Sequence, residues 1–291
     1  MVSGTHEPVS VVVPVYNDAD RVKFAVRALT NQSYPSGAYE VVIVDNRSTD
    51  GTLDTARRLV GQNPGLVRLV FENTTQSSYA ARNKGVLSAQ GSILAFTDSD
   101  CIPERDWIER GIAGLQEESV KCGGGQVRFF FKSERPNIYE YFDAARKLNQ
   151  KAHIEKAGFA ATANFFVRRE LFDRYGLFRS DMISGGDYEF GRRLTKGGEK
   201  IVYIPRAVVH HPARASFRSI LRKSTRVAEG QRQLEKEGLL EHGKISLRQL
   251  LPKLSFPISV GLKKSFSVAD RLRLLATYNF ILWMNFFIRI R

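Results

Sequence analysis

Asp98-Ser99-Asp100 places two carboxylates one residue apart, just after the apolar run Ile93-Leu94-Ala95-Phe96 and shortly before Pro103. A short apolar run of this kind suits a buried strand, and the proline marks its end. Two acids at the mouth of a strand repel each other unless a positive charge joins them. A hard divalent cation such as Mg²⁺ or Mn²⁺ answers that need, because it takes carboxylate oxygens and keeps positions open for phosphate oxygens. The plain alternative is a solvated turn that caps a helix beginning near Glu104. Two further segments carry chemistry of the same sort. Ser184-Gly185-Gly186-Asp187-Tyr188-Glu189 sets an acid just behind two glycines at a helix start, where the chain lets it project into a cleft; an ordinary N-terminal cap is the competing reading. Ala207-Val208-Val209-His210-His211-Pro212 ends a strand in two histidines, either of which could ligate a metal or be purely structural.

The elements that must position these groups follow from periodicity. Strands are predicted over 9–15, 41–44, 67–71 and 93–96, with helices through Val22, Ala25, Val26 and Leu29, after Ser48-Thr49-Asp50-Gly51-Thr52, and over 77–90. Repeated strand–helix units of this length predict a mainly parallel sheet with helices on both faces. Ligands then gather at the strand carboxyl ends, which is where Asp45, Asp98 and Asp100 stand. Beyond residue 104 the pattern changes. Gly123-Gly124-Gly125 has no following Lys-Ser/Thr and forms no G-x-G-x-x-G, so a tight or mobile turn is expected rather than a phosphate loop. A strand over 126–131, one amphipathic helix over 137–156, a strand over 160–167, a helix over 169–175, and strands over 200–204 and 207–211 complete the reading.

The 291 residues carry a net charge of +14 with 43% hydrophobic and 25% charged content. The composition is that of a globular chain, and the charge points to a polyanionic partner: phosphorylated substrates, an anionic membrane or nucleic acid. Cys101 and Cys122 make neither a disulfide framework nor a CxxC metal pattern. The first eight residues lack the regions of a signal peptide, and a cytoplasmic working face is the expectation. Pro14-Val15-Tyr16-Asn17 stands where a dinucleotide dehydrogenase would carry its glycine-rich turn, which excludes that class. A basic nucleic-acid-binding protein is the rival of a different class, but no RNP-like, helix-turn-helix or zinc pattern supports it, and no nucleic-acid partner is expected.

Taken in order, six segments resemble family 2 of the inverting nucleotide-sugar glycosyltransferases, with their GT-A fold. They are Val11-Val12-Val13-Pro14-Val15-Tyr16-Asn17, Val44-Asp45-Asn46 with Ser48-Thr49-Asp50-Gly51-Thr52, Ala81-Arg82-Asn83-Lys84-Gly85, Asp98-Ser99-Asp100, Gly186-Asp187-Tyr188-Glu189 and His211-Pro212. The resemblance implies an α/β, Rossmann-like catalytic domain over residues 1–215, with a nucleotide-binding half over about 1–103 and an acceptor half over 104–215. It implies that Asp45 accepts from the N–H of a uracil-type base and that Pro14, Tyr16 and Asn17 line the base and ribose pocket. Arg82 would fix the nucleotide side, and Asp98 would face the ribose or the metal. Asp100 and His211, with His210 as substitute, would hold Mn²⁺ or Mg²⁺, and Asp187 would be the general base. Two departures stand out. Many members have Glu-Asp where this chain has Gly186-Asp187, and the Gln-x-x-Arg-Trp signature of processive members is replaced by Lys223-Ser224-Thr225-Arg226-Val227. Transfer of one sugar per encounter, from a UDP-sugar to a glycan or lipid-linked hydroxyl, is the expected reaction; a polyprenyl phosphate is the alternative acceptor.

Residues 216–291 form a basic helical tail. Between Arg206 and Arg273 there are fifteen Lys and Arg against five Asp and Glu, and an apolar stretch, Leu274 to Ile288, follows. As a fifteen-residue helix that stretch would be about 22 Å long, short of the roughly 30 Å hydrocarbon core. Its aromatics and flanking arginines suit a helix lying on an anionic membrane, and peripheral attachment to the inner face of the plasma membrane is expected. Packing on the catalytic domain or on another subunit is the competing expectation.

Overall fold

A computed structural model of the chain describes residues 6–146, 148–240, 251–253 and 267–290. Of the charged residues counted in the basic tail, Lys244, Arg248, Lys263, Lys264 and Glu241 lie outside the described residues, as does the N-terminal segment 1–5. The chain divides into two units: one of Met1–Arg128, Asn149–Asp181 and Gly186–His211, the other of Phe129–Leu148, Met182–Gly185 and Pro212–Arg291.

The first unit is built on a sheet whose leading strands are β1 (Val9–Val15), β2 (Tyr39–Asp45), β3 (Val67–Phe71) and β4 (Ile93–Thr97). The β-branched and apolar residues of β1, β2 and β4 are buried on both faces, as a covered parallel sheet requires, while the edge strand β3 is more open. β1 pairs in parallel with β2 and with β4, so that Val12 stands opposite both Val42 and Phe96, and Val15 stands opposite Asp45. The helices α1 (Val22–Leu29), α2 (Thr52–Gln62) and α3 (Ser78–Ser88) alternate with these strands. α3 packs tightly: a Cβ at Gly85 would lie 2.3 Å from a methyl of Val12, so only glycine lets the helix approach β1 this closely.

The full sheet has eight strands in the order β3-β2-β1-β4-β7-β6-β8-β5, where β5 is Ile102–Pro103, β6 Cys122–Phe130, β7 Asn164–Arg168 and β8 Ile201–Pro212. Parallel pairing holds for β1 to β4. β7 then runs antiparallel to β4 and to β6, and β5 antiparallel to β8. Gly123, Gly124 and Gly125, expected in a turn, lie inside β6 instead. They are there because neighbours come close: a Cβ at Gly125 would sit 2.3 Å from the carbonyl oxygen of Ala207, and one at Gly124 would sit 2.8 Å from the Cβ of Ala160. The two strands expected over 200–211 are the single strand β8. The helix expected near Glu104 is α4 (Trp107–Ala113), which begins only after β5, so Asp98 and Asp100 do not cap it.

Helices α5 (Ile138–Ala145) and α6 (Gln150–Ala157) replace the one helix expected over 137–156. Each has its own cap: Asn137 accepts from the backbone of Tyr139 and Glu140 while Glu140 accepts from Asn137, and Asn149 accepts from Ala152. α7 (Glu170–Tyr175) and α8 (Gly186–Lys196) belong to the first unit. The second unit holds α5, α9 (Phe217–Lys236) and α10 (Val268–Ile290) around a small core of Phe142, Ile220, Leu274 and Ile281. At 23 residues, α10 is longer than the apolar stretch alone predicts, about 34 Å from end to end. None of the helices among the described residues is long and apolar enough to cross a membrane.

Candidate active site

The parallel register brings the carboxyl ends of β1, β2 and β4 together, and with them the loops that carry Tyr16, Asn17, Asp45, Asp98 and Asp100. Asp45 is the last residue of β2 and is 3% exposed. Its Oδ2 accepts from the backbone N–H of Ser48 at 3.2 Å, while its Oδ1 is buried without a hydrogen-bond partner. A buried carboxylate oxygen left unpaired is costly. The position is therefore suited to an N–H donor on a ligand.

Pro14, near the end of β1, is half-buried, and Tyr16 presents half of its surface to solvent. Asn17 has a left-handed backbone (φ +47°), a conformation that asparagine tolerates better than most residues. It holds the loop after β2: its side-chain Oδ1 accepts from the backbone N–H of Thr49 at 2.8 Å, and its backbone N–H donates to Ser48 Oγ at 3.0 Å. In this geometry Asn17 shapes the wall formed with the 48–49 loop.

Asp98, Asp100, Cys101 and His211 bring one ligand atom each within 4.8 Å of all the others. His211 Nε2 lies 3.8 Å from Asp100 Oδ1. His210 turns away and meets Glu104 Oε1 at 3.0 Å, which the pairing of Ile102 with His210 dictates. Neighbouring residues of a strand point to opposite faces, so only one of the two histidines reaches Asp100. Carboxylates with an imidazole suit Mn²⁺ or Mg²⁺. Cys101 does not fit that set: it is fully buried, and burial, reinforced by Asp100 and Asp98, raises its thiol well above the ordinary value.

Two residues that the sequence did not mark, Arg21 and Asp18, complete this corner. Arg21 spans two acids, donating Nε to Asp18 Oδ1 at 2.6 Å and Nη1 to Asp100 Oδ2 at 3.1 Å. Ser99 Oγ donates to Asp18 Oδ2 at 2.6 Å. The middle residue of Asp98-Ser99-Asp100 is thus anchored to the loop after β1, which fixes the two flanking carboxylates. Their spacing was visible in the sequence, but Asp18 and Arg21 are common residue types whose proximity to Asp100 comes only from the fold.

Arg82 on α3 is 5% exposed and donates Nη2 to Asp98 Oδ1 at 2.5 Å. Its guanidinium also lies over the ring of Tyr79, 5.6 Å from the centroid. Tyr79 in turn approaches Asp187, with Oη 3.4 Å from Oδ1. Asp187 is the second residue of α8, and its Oδ1 also accepts from the backbone N–H of Tyr188 at 3.0 Å. The protein around it raises its carboxyl above the usual aspartate value, burial being the main cause, against the lowering effects of Arg82, the Tyr188 N–H and His153. His153 was not foreseen either. Its imidazole stacks on Phe159 at 4.7 Å, and Phe159 meets Tyr188 edge-on at 5.3 Å.

Tyr79 also explains Gly186. A Cβ at that position would meet three carbons of the Tyr79 ring, each at 2.9 Å. A glutamate before Asp187 would need that space. The aromatic ring that faces Asp187 here takes the place that side chain would occupy.

Comparison with known proteins agrees with this geometry. The sequence model of Glycosyl transferase family 2 matches residues 10–176. Glycosyltransferase AglE of Haloferax volcanii is 38% identical over 229 residues, 78% of this chain and 73% of that protein. A dolichyl N-acetyl-alpha-D-glucosaminyl phosphate 3-beta-D-2,3-diacetamido-2,3-dideoxy-beta-D-glucuronosyltransferase of Methanococcus voltae is 24% identical over 74% of this chain and 70% of its own length. Among solved structures, the mannosyltransferase PcManGT of Pyrobaculum calidifontis in complex with GDP-Man and Mn²⁺ superposes with a TM-score of 0.64 at 22% identity, covering 99% of this chain and 73% of that one. S. aureus TarS 1-349 in complex with UDP-GlcNAc superposes at 0.59 and 19% identity over 85% of this chain and 76% of that one. A covered parallel sheet with acids at its strand ends, a GT-A architecture and a matching relative over most of its length lead to one conclusion: the chain is a glycosyltransferase and belongs to glycosyl transferase family 2.

Proposed function

We propose that the protein transfers one sugar from a UDP-sugar to a hydroxyl of a glycan or lipid-linked acceptor, in a metal-dependent step that inverts the anomeric carbon. The observation that carries this reading is the convergence of Asp98, Asp100 and His211 within ligand distance of one another, in the same unit as Asp187. Nucleotide sugars bound to two neighbouring structures, one of them with Mn²⁺, support the donor class.

Asp45 Oδ1 accepts from the base N–H, and the loop pinned by Asn17 forms the wall beside it. Asp100 and His211, with Asp98, hold the divalent cation, which when bound supplies positive charge against the diphosphate leaving group. Arg82 keeps Asp98 in place and adds a positive charge of its own to this side of the site. Asp187 takes the proton of the acceptor hydroxyl as its oxygen attacks the anomeric carbon. The new C–O bond forms as the bond from that carbon to the phosphate oxygen breaks, and the electron pair leaves with the nucleoside diphosphate. A raised Asp187 carboxyl is a stronger base than an ordinary aspartate, which helps it accept that proton. Nucleotide release from candidate UDP-sugars, with NMR reading the anomeric configuration of the product, tests this scheme. Inverted product from wild type, formed far more slowly by Asp187→Asn, is the expected result; retained configuration refutes the single displacement.

A lipid-linked acceptor would place the enzyme at a membrane, peripherally on its cytoplasmic face. Support comes from α10, whose Val268, Leu272, Phe280, Trp283 and Phe287 share one helical face and are all exposed, with Arg271 and Arg273 beside them. Its opposite face, with Leu274 and Ile281, packs in the core of the second unit. Flotation of the full chain with vesicles containing anionic phospholipid, and not with neutral ones, is expected; recovery in the soluble fraction with both removes this assignment.

A further inference from the structure

The second unit contains a cluster of charge that the transfer scheme leaves unused. Asp143 on α5 is 3% exposed. Its Oδ2 accepts from the backbone N–H and the Nη1 of Arg214 at 3.1 and 3.0 Å, and its Oδ1 accepts from Lys223 Nζ on α9 at 3.1 Å. Arg146 follows Asp143 by three residues, at the C-terminal cap of α5, and donates Nη1 to Ser224 Oγ at 3.3 Å. Three cations therefore surround one carboxylate. Among the described residues, Asp143 is the sole acid in ion-pair contact with Arg214 or Lys223, and Arg146 has none.

That ratio is physically unbalanced. Burial and the like charge of Arg214 push the Lys223 ammonium below its ordinary range in spite of Asp143. One carboxylate does not offset the cost of holding this much positive charge away from water. The side chains are nevertheless partly open to solvent: Arg214 is 24% and Lys223 33% exposed, and Arg146 is an exposed residue. Asp143 orders the two it binds, holding Arg214 and Lys223 side by side rather than letting them swing apart. Two arginine forks and an ammonium, already ordered and in excess by two charges, are the complement of a phosphate dianion.

We propose that Arg146, Arg214 and Lys223 form a phosphate-binding site, with Asp143 as its positioning residue. Under the function proposed above, on which the choice of ligand rests, the phosphate is that of a lipid-linked acceptor. Lys223 thereby gains a role in a segment that lacks the processive signature.

The test uses the full chain in EDTA at fixed low ionic strength, so that no metal-bridged phosphate contributes. Calorimetric titrations with inorganic pyrophosphate and a short-chain polyprenyl phosphate are compared for wild type, Arg146→Gln and Lys223→Met. Arg146→Gln is the principal variant because it leaves the Asp143 pairs intact; thermal melting shows whether Lys223→Met folds. Wild type is expected to bind pyrophosphate, and Arg146→Gln to weaken it about tenfold or more, the scale of one lost charged hydrogen bond. A parallel loss for polyprenyl phosphate assigns the site to the acceptor, whereas polyprenyl phosphate bound unchanged while pyrophosphate weakens overturns that assignment. Asp45→Asn should leave pyrophosphate binding intact, so a wrong assignment of the nucleotide pocket is read separately. Wild-type affinity for both probes in both folded variants overturns the proposal.

Discussion

Gly186→Ala is the perturbation whose consequence the structure defines most sharply. The added Cβ would lie 2.9 Å from Cε1, Cε2 and Cζ of Tyr79. Carbon atoms rest at about 3.5–4.0 Å, so the ring must retreat by roughly 0.6 Å or more, or α8 must shift. Neither movement is free. Tyr79 is 5% exposed and lies between Phe178, 6.1 Å away, and the guanidinium of Arg82. Overpacking of this kind costs about 1–3 kcal/mol, and each kcal/mol lowers the melting temperature of a protein of this size by about 2–4 °C. Because Tyr79 touches both Arg82 and Asp187, turnover should fall as well. Thermal and urea unfolding of Gly186→Ala, Tyr79→Leu and the double variant measure the coupling. Leucine lacks the three clashing ring carbons, so the double variant should be more stable than the sum of the single changes by about 1 kcal/mol or more. Additive effects, or a Gly186→Ala protein as stable as wild type, would refute the steric explanation for this glycine.

The acidic limb of kcat/KM should lie above the ordinary aspartate range, because Asp187 must be ionised to take a proton and its carboxyl is raised; the rate falls as pH drops through that raised value. Arg82→Gln removes a charge that lowers Asp187 and should carry the limb to still higher pH; a limb that stays put would show that Asp187 is not the titrating base. Asp187→Asn should reduce kcat by roughly 10²–10⁴ with little change in nucleotide affinity, measured by single-turnover kinetics beside calorimetry. Asp45→Asn should weaken binding of uridine nucleotides about tenfold to a hundredfold while leaving the melting temperature near that of wild type, as fits a buried acceptor lost to the ligand rather than to the fold.

The carboxylates were legible because strand and acid occur together in the sequence. An apolar run followed by Asp45, or by Asp98-Ser99-Asp100, states both the element and the group at its end. The glycine triplet misled for the converse reason. Glycine signals a turn or a close approach with equal force, and only the carbonyl of Ala207 beside Gly125 tells them apart. The same holds for the helix drawn over 137–156, where a continuous amphipathic pattern hid two capping asparagines, Asn137 and Asn149. Arg21, Asp18, Tyr79 and His153 carried no sequence signal. Each acquires meaning from a partner far along the chain, as Arg21 does from Asp100 and Tyr79 from Asp187. Choosing between His210 and His211 likewise needed the strand pairing that sends one toward Glu104 and the other toward Asp100.

Binding of UDP and GDP to wild type and Asp100→Ala, titrated calorimetrically with and without Mn²⁺, tests the donor site most directly. Tight binding of UDP that requires Mn²⁺ and disappears in Asp100→Ala is the predicted result. Binding of GDP in its place would move the base assignment away from uridine while keeping the site. Binding of either nucleotide that is indifferent to both Mn²⁺ and Asp100 would contradict a metal-bridged diphosphate at Asp98, Asp100 and His211.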